Sequence, residues 1–208
     1  MNNNPDRPPR TGRPKSDEKR QAILGAAAEL FLHSGFKDTS MDALAAAAGV
    51  SKQTVYSHFD TKDTLLRACL QDKLHQHGLN AEDMPKDKPL DEALRHIGGQ
   101  FVDLINDEEV IGTYRLMISE CVAQPSLAHT FFEAGPNVTR DAVSGFLQAH
   151  DVPAGRFGDG RHAAGVFFAL LEHVHMKERL LNLRGPMDPD QRREHVNRVV
   201  DQFLTLYP

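Results

Sequence analysis

The chain has 208 residues, 40% of them apolar, with 24 Lys/Arg against 29 Asp/Glu and a net charge of -5. That make-up is expected of a soluble globular protein of one or two domains with a sizeable core, and it excludes a disordered chain. The longest apolar run, Ala43 to Val50, is far short of the ~20 residues a membrane span needs, and mean hydropathy is -0.46.

The opening MNNNPDRPPRTGRPK carries positive charge with no apolar stretch behind it, so no secretory signal is expected and the location expected is the cytoplasm. Cys69 and Cys121 are too few for a disulfide scaffold or a zinc cage and read first as small buried hydrophobes. Charge is uneven: residues 1–62 hold nine Lys/Arg against seven acids, the remainder 15 against 22. A basic head on an acidic body fits a head that meets a polyanion, although charge alone favours an ordinary solvated tail.

Residues 1–14, rich in Asn, Pro and Arg, have no apolar period and read as a flexible basic arm. Ser16 offers a helix cap with Asp17 and Glu18 in the first turn, and Ile23, Ala27, Leu30 and Phe31 share one face. Gly35 suits the left-handed position that ends this helix, with Phe36 packing back on Phe31. Thr39-Ser40-Met41-Asp42 holds a Thr-x-x-Asp capping pattern that opens a short alanine-rich helix to Ala48. After the turn at Gly49-Val50, Ser51 caps a helix over Lys52 to His58, and Asp60-Thr61 caps a fourth with Leu66, Cys69, Leu70 and Leu74 on its inner stripe.

Gly78 to Pro89 reads as a polar connector, followed by helices at about 90–106, 108–123, 126–149, 160–183 and 189–206. Gly135-Pro136 should kink or break the third of these, because Pro136 lacks an amide proton. The fold class expected is therefore all-α, about nine helices. A helix-turn-helix head at 15–62 follows the arm, and a C-terminal helical bundle for effector binding and dimerisation occupies 63–208.

Thr39–Phe59 has the spacing of two short helices joined by a glycine-containing turn, as in a DNA-reading helix-turn-helix. The alanines at 45–48 let neighbouring helices approach closely, and Gly49 supplies a conformation that other residues resist. Val55 and Phe59, four apart, face inward, which turns Lys52, Gln53, Tyr56 and Ser57 outward. Lys52 suits a phosphate or guanine, Gln53 can pair with adenine, and Thr54 and Ser57 can reach base edges or phosphates. Periodicity alone leaves a plain three-helix bundle with a polar face as an equal alternative.

The run from Thr39 to Asp63, with Ala-Gly-Val-Ser at 48–51, Thr-Val-Tyr-Ser-His-Phe at 54–59 and the following Lys62, closely resembles the DNA-binding signature of TetR-family transcriptional regulators. The resemblance implies that Thr39 and Ser40 meet a phosphate and that Ser51, Lys52, Gln53 and Thr54 lie at the major groove. It also implies that Tyr56, His58 and Lys62 grip the backbone, consistent with the attraction of helix N-termini and cations for phosphate. In the arm, Gly12-Arg13-Pro14 with Arg10 and Lys15 looks like the core of an AT-hook for a narrow minor groove, with a solubilising tail as the equal alternative.

Tyr114–Glu120 and Thr130–Pro136 resemble the C-terminal domain of AefR-like TetR regulators. The family likeness implies a small-molecule effector of unencoded class, a homodimer, and a repressor released from palindromic double-stranded DNA. From spacing, Phe101, Ile105, Tyr114, Met117, Ile118, Cys121, Phe132, Phe146, Phe168 and His173 point into the bundle and form a candidate apolar pocket; taken singly, each reads first as core. Two heads about 34–36 Å apart would meet successive major-groove faces of a palindrome. Val166, Leu170, Val196, Val199, Val200 and Phe203 supply the stripes for a two-fold interface, with packing inside one subunit as the alternative for part of that surface.

The rival class is a helical enzyme or sensor using metal or redox chemistry at the eleven histidines or Cys121. Glu172-His173-Val174-His175 holds a single Glu-x-x-His, whereas a di-iron bundle needs two such pairs and two further glutamates. His173 and His175, two apart, point in different directions. No nucleophile elbow, Walker loop, zinc-protease or dinucleotide fingerprint is present, so no catalytic residue, metal or cofactor is expected. Nothing basic flanks Cys121 in sequence to lower its thiol pKa. A pure protein-binding scaffold, the third class, has no need for the outward polar set around Tyr56.

Overall fold

A computed structural model describes residues 15–150 and 155–208, with ten α-helices, a short 3-10 turn over Ala81–Asp83 and no strand among those residues. The arm with Arg13 and the side chain of Lys15, where a minor-groove contact was expected, lie outside the described residues. The chain divides into two compact units after Leu65.

The first unit holds α1 (Lys15–Ser34), α2 (Met41–Ala47), α3 (Lys52–His58) and the opening turn of α4 (Lys62–Gln76). α1 ends as the sequence expects: Gly35 has φ 83, its amide donates to the Phe31 carbonyl at 3.0 Å, and the Phe31 and Phe36 rings lie 5.1 Å apart. α2 ends the same way, with Gly49 at φ 65 while Val50 N–H reaches back to Ala45 O and Gly49 N–H to Ala46 O. Ile23, Phe31, Phe36, Leu44, Val55 and Phe59 are buried between these helices. Of the four alanines expected at the close approach, Ala45 is buried and Ala48 half-buried; Ala46 and Ala47 face outward, one residue being about 100° of helix turn from the next.

The second unit contains α5 (Leu90–Asn106), α6 (Glu108–Glu120), α7 (Pro125–Ala134), α8 (Pro136–Ala149), α9 (Gly160–Leu180) and α10 (Pro189–Leu206). The segment expected at 126–149 is two helices, because Pro136 begins α8 at a position that needs no amide donor and Gly135 leaves the helical region. That division accounts for ten helices where about nine were expected. α10 opens with a capping box in which Asp188 accepts from the Gln191 amide and Gln191 answers to the Asp188 amide. Its apolar stripe then lies on α5 and α9.

α9 is not one continuous rod. At His173 the backbone has φ 35 and ψ -135, and the helix resumes beyond it. The second segment is tied to the joint between α5 and α6: His175 Nε2 meets Asn106 Oδ1 at 3.1 Å, and buried Arg179 donates to Asn106 O and Glu108 Oε1.

Candidate functional site

α3 is held at its start by Ser51, whose hydroxyl accepts the Thr54 amide at 3.1 Å and lies 2.8 Å from the Thr54 hydroxyl. Such a cap stabilises a short helix by about 1 kcal/mol. Val55 is fully buried and Phe59 nearly so, which turns Lys52, Gln53, Tyr56 and Ser57 outward together. Tyr56 is 43% exposed, an uncommon position for a large aromatic without a partner surface. Ser57 donates to the Thr54 carbonyl, and Thr54 and His58 are half-buried, His58 lying beside the Phe59 ring.

Lys52 is steered by its neighbours. Its ammonium is 2.7 Å from Asp42 Oδ1 on α2 and 6.0 Å from the Tyr56 ring centre. The hydrogen bond and charge of Asp42 hold the lysine pKa above its ordinary value, so it stays cationic. Ser40, exposed, caps α2 by accepting the Ala43 amide.

Two expected phosphate contacts have other employment. Thr39 is 3% exposed, and its hydroxyl donates to Gly35 O at 2.7 Å and reaches Leu30 O at 3.2 Å. It locks the α1–α2 turn, and the cap of α2 is Ser40, not Thr39. Lys62 donates to the carbonyls of Phe36 and Lys37 at 2.6 and 2.9 Å and lies over the Phe36 ring. Two of its three N–H groups close that turn, which leaves one for a phosphate.

In the C-terminal unit, Phe101, Ile105, Met117, Phe146 and Phe168 of the expected pocket set are buried, and Tyr114 and Cys121 are half-buried. Phe101 and Phe168 rings lie 4.5 Å apart, and Tyr114 stands edge-on to Phe131 at 4.9 Å. Three members of the set point outward. Ile118 is 59% exposed because Met117 takes the inward direction on α6, and Phe132 is 54% exposed because Phe131 does so on α7. His173 is exposed because the break in α9 re-aims it.

The expected dimer set is also divided. Val196, Val199, Val200 and Phe203 are buried inside their own subunit, where the stripe of α10 covers α5 and α9, so they do not offer an outer surface. Val166 and Leu170 are half-buried on α9, and Ala169 and Val174 beside them are exposed.

Sequence reasoning passed over Asp42 as a partner of Lys52, and Asn106 and Arg115 as anchors of the second segment of α9, and it weighed Glu172 only within a Glu-x-x-His metal motif. Glu172 had one legible signal, an acid within the apolar stretch from Val166 to Val174. Among the described residues no group of three or more His, Cys, Asp or Glu could hold a metal ion, and no helix is long and apolar enough to cross a membrane.

Residues 92–208 match the AefR-like transcriptional repressor C-terminal domain, and residues 23–69 match the TetR family of bacterial regulatory proteins. A TetR-family transcriptional regulator from Mesorhizobium loti MAFF303099 superimposes with TM-score 0.75 at 25% identity, over 94% of this chain and 99% of that one. The flavonoid-responsive regulator FrrA does so with TM-score 0.70 at 30% identity, over 91% and 97%. The HTH-type transcriptional regulator SrpR of Pseudomonas putida is 39% identical over 61 residues, 29% of each chain, so that likeness covers under a third of either protein. An exposed polar face on a capped recognition helix, joined to a C-terminal unit matched over more than half the chain, identifies this protein as a member of the TetR family of transcriptional regulators.

Proposed function

We propose that the chain is a cytoplasmic repressor that binds a palindromic operator as a homodimer and releases it when a small apolar or aromatic effector enters the C-terminal unit. The observation that carries this reading is the outward set Lys52, Gln53, Tyr56 and Ser57 on a helix capped at Ser51. Lys52 and Tyr56 suit phosphate and Gln53 suits an adenine edge, so affinity and base preference are separable on one helix face. Thr54, His58 and Ser40 stand beside that face, and the remaining N–H of Lys62 suits a backbone phosphate.

Pairing is proposed through the outer side of α9, where Ala169 and Val174 are exposed beside the half-buried Val166 and Leu170. Two-fold pairing there would present two heads to half-sites one helical turn apart. The aromatic pairs Phe101–Phe168 and Tyr114–Phe131 favour an aromatic effector, and the flavonoid response of FrrA supports that reading by analogy. Repression agrees with the repressor description of the matched C-terminal domain.

The test is a reporter placed behind the operator selected by the protein from random duplexes, with and without the coding sequence. Expression should rise when the gene is removed. Expression that falls on removal would make the protein an activator, and no change would refute regulation at that site.

A further inference from the structure

The surface that carries Gln53 and Tyr56 also holds an acid. Asp42 lies in the first turn of α2 and Lys52 is the first residue of α3, and the Asp42 Oδ1 to Lys52 Nζ distance across the two helices is 2.7 Å. Both side chains remain exposed, and Lys52 is the partner of this carboxylate among the described residues.

Neither folding nor plain attraction for DNA explains the acid. An exposed ion pair contributes little to stability, and α2 is already capped by Ser40, which accepts the Ala43 amide. For a polyanion the charge is adverse. It stands at a helix start that suits a phosphate, and it occupies one of the three N–H groups that Lys52 could offer the DNA backbone.

The position of the pair suggests what offsets that cost. In a helix-turn-helix the N-terminal residues of the second helix meet base edges, while the first helix crosses the backbone. Lys52 is the N-terminal residue of α3, so a carboxylate 2.7 Å from its ammonium is carried to the rim of the major groove. A carboxylate can only accept. Cytosine presents an amino donor there with no acceptor of its own, adenine sets N7 beside its amino group, and guanine and thymine present acceptors. Cytosine therefore satisfies the acid, and the other bases oppose it with lone pairs.

We propose that Asp42 is a specificity-determining residue that accepts from the amino group of one cytosine in each half-site, with Lys52 bridging the carboxylate to a backbone phosphate. The two remaining N–H groups of Lys52 suit that phosphate. The acid acts more by penalising wrong sequences than by strengthening the right one. This rests on the reading of α3 as the DNA-reading helix and adds a base read from α2.

The experiment takes the duplex that the wild-type full chain enriches from a random pool, changes each base pair in turn, and measures affinity at fixed salt. One cytosine in each half-site should emerge whose change to thymine costs the wild type about ten-fold. Asp42→Ala should remove most of that cost by tightening on the thymine duplex, with the urea midpoint and the base preference of Gln53 unchanged. Asp42→Asn, whose amide both donates and accepts, should bind the cytosine and thymine duplexes alike. A cytosine preference that survives in Asp42→Ala overturns the proposal. So does a gain of equal size on every duplex, which would make Asp42 a restraint on Lys52 and nothing more. A wild type that enriches no duplex refutes the reading of α3 as well, whereas an enriched operator that is indifferent to residue 42 refutes the role of Asp42 alone.

Discussion

The imidazole of His195 on α10 meets the main-chain carbonyl of Leu171 on α9 at 2.9 Å, two residues before α9 departs from helical geometry at His173. Leu171 O lies beside the break in a packed helix, and a side chain 24 positions away donates to it. Replacing His195 by Leu should therefore lower stability by about 1–3 kcal/mol, the cost of a buried acceptor without its donor. Gln, which can donate from its amide, should recover part of that loss. Urea unfolding of the two variants measures it, and an unchanged midpoint in His195→Leu would show that the bond contributes nothing.

Thr39 is a structural residue in this fold, although it sits where a phosphate contact was expected. Thr39→Val keeps the shape and removes both hydroxyl contacts to Leu30 and Gly35, so the protein should lose about 0.5–1.5 kcal/mol. The salt dependence of DNA binding should be unchanged. A reduced salt slope with unaltered thermal melting would return Thr39 to the phosphate contacts.

Asp42 and Lys52 form an exposed pair, and exposed pairs contribute little to folding. Asp42→Asn should leave the melting temperature where it is. Because it frees the lysine, DNA affinity should hold or rise. Lys52→Ala should weaken binding to all sequences and reduce the slope of log affinity against log salt by about one.

Two carboxylates should titrate with opposite signs. Glu172, held above the ordinary carboxylate range by burial, takes up its proton more readily in the folded protein. Its contribution is favourable below the ordinary value and is lost as pH rises through the raised one. Glu172→Gln should therefore raise the melting temperature at neutral pH and give little gain near the ordinary carboxylate pKa. Burial also pushes Asp107 up, but the Lys73 ammonium, the Glu109 amide and His77 outweigh it and leave the carboxyl below its ordinary value. Its stabilisation is present above the ordinary value and is lost as pH falls through the lowered one, so Asp107→Asn should cost most at neutral pH. Melting curves across pH check both directions; parallel curves for wild type and variants would contradict them.

The legible parts of this fold are those set by short-range chemistry. The outer face of α3 follows from Val55 and Phe59 four residues apart, the turn after α1 from Gly35 and Phe36, and the division of α7 from α8 from Pro136. What escaped the sequence depends on distant partners. Lys62 and Thr39 read as free polar groups until the fold brings backbone carbonyls to them. The stripe of α10 was visible, but a stripe does not say whether it covers its own subunit or a second copy.

The break in α9 has no local signal at all. The stretch Val166 to Val174 contains neither Gly nor Pro, and the side chain that bonds the carbonyl beside the break, His195, comes from another helix. Ile118 and Phe132 show a related limit. Each adjoins an inward residue, and only the helix phase, set by packing, decides which neighbour faces the core.

Selection from a random duplex pool by the full chain, repeated with Gln53→Ala and Tyr56→Ala, tests the central claim most directly. The wild type should enrich one palindromic sequence. Gln53→Ala should shift the preferred base at one position in each half-site, while Tyr56→Ala should weaken binding evenly without changing the sequence. A wild type that enriches nothing at low salt, or variants that select the same sequence with the same affinity, would contradict the assignment of α3 as the reading helix.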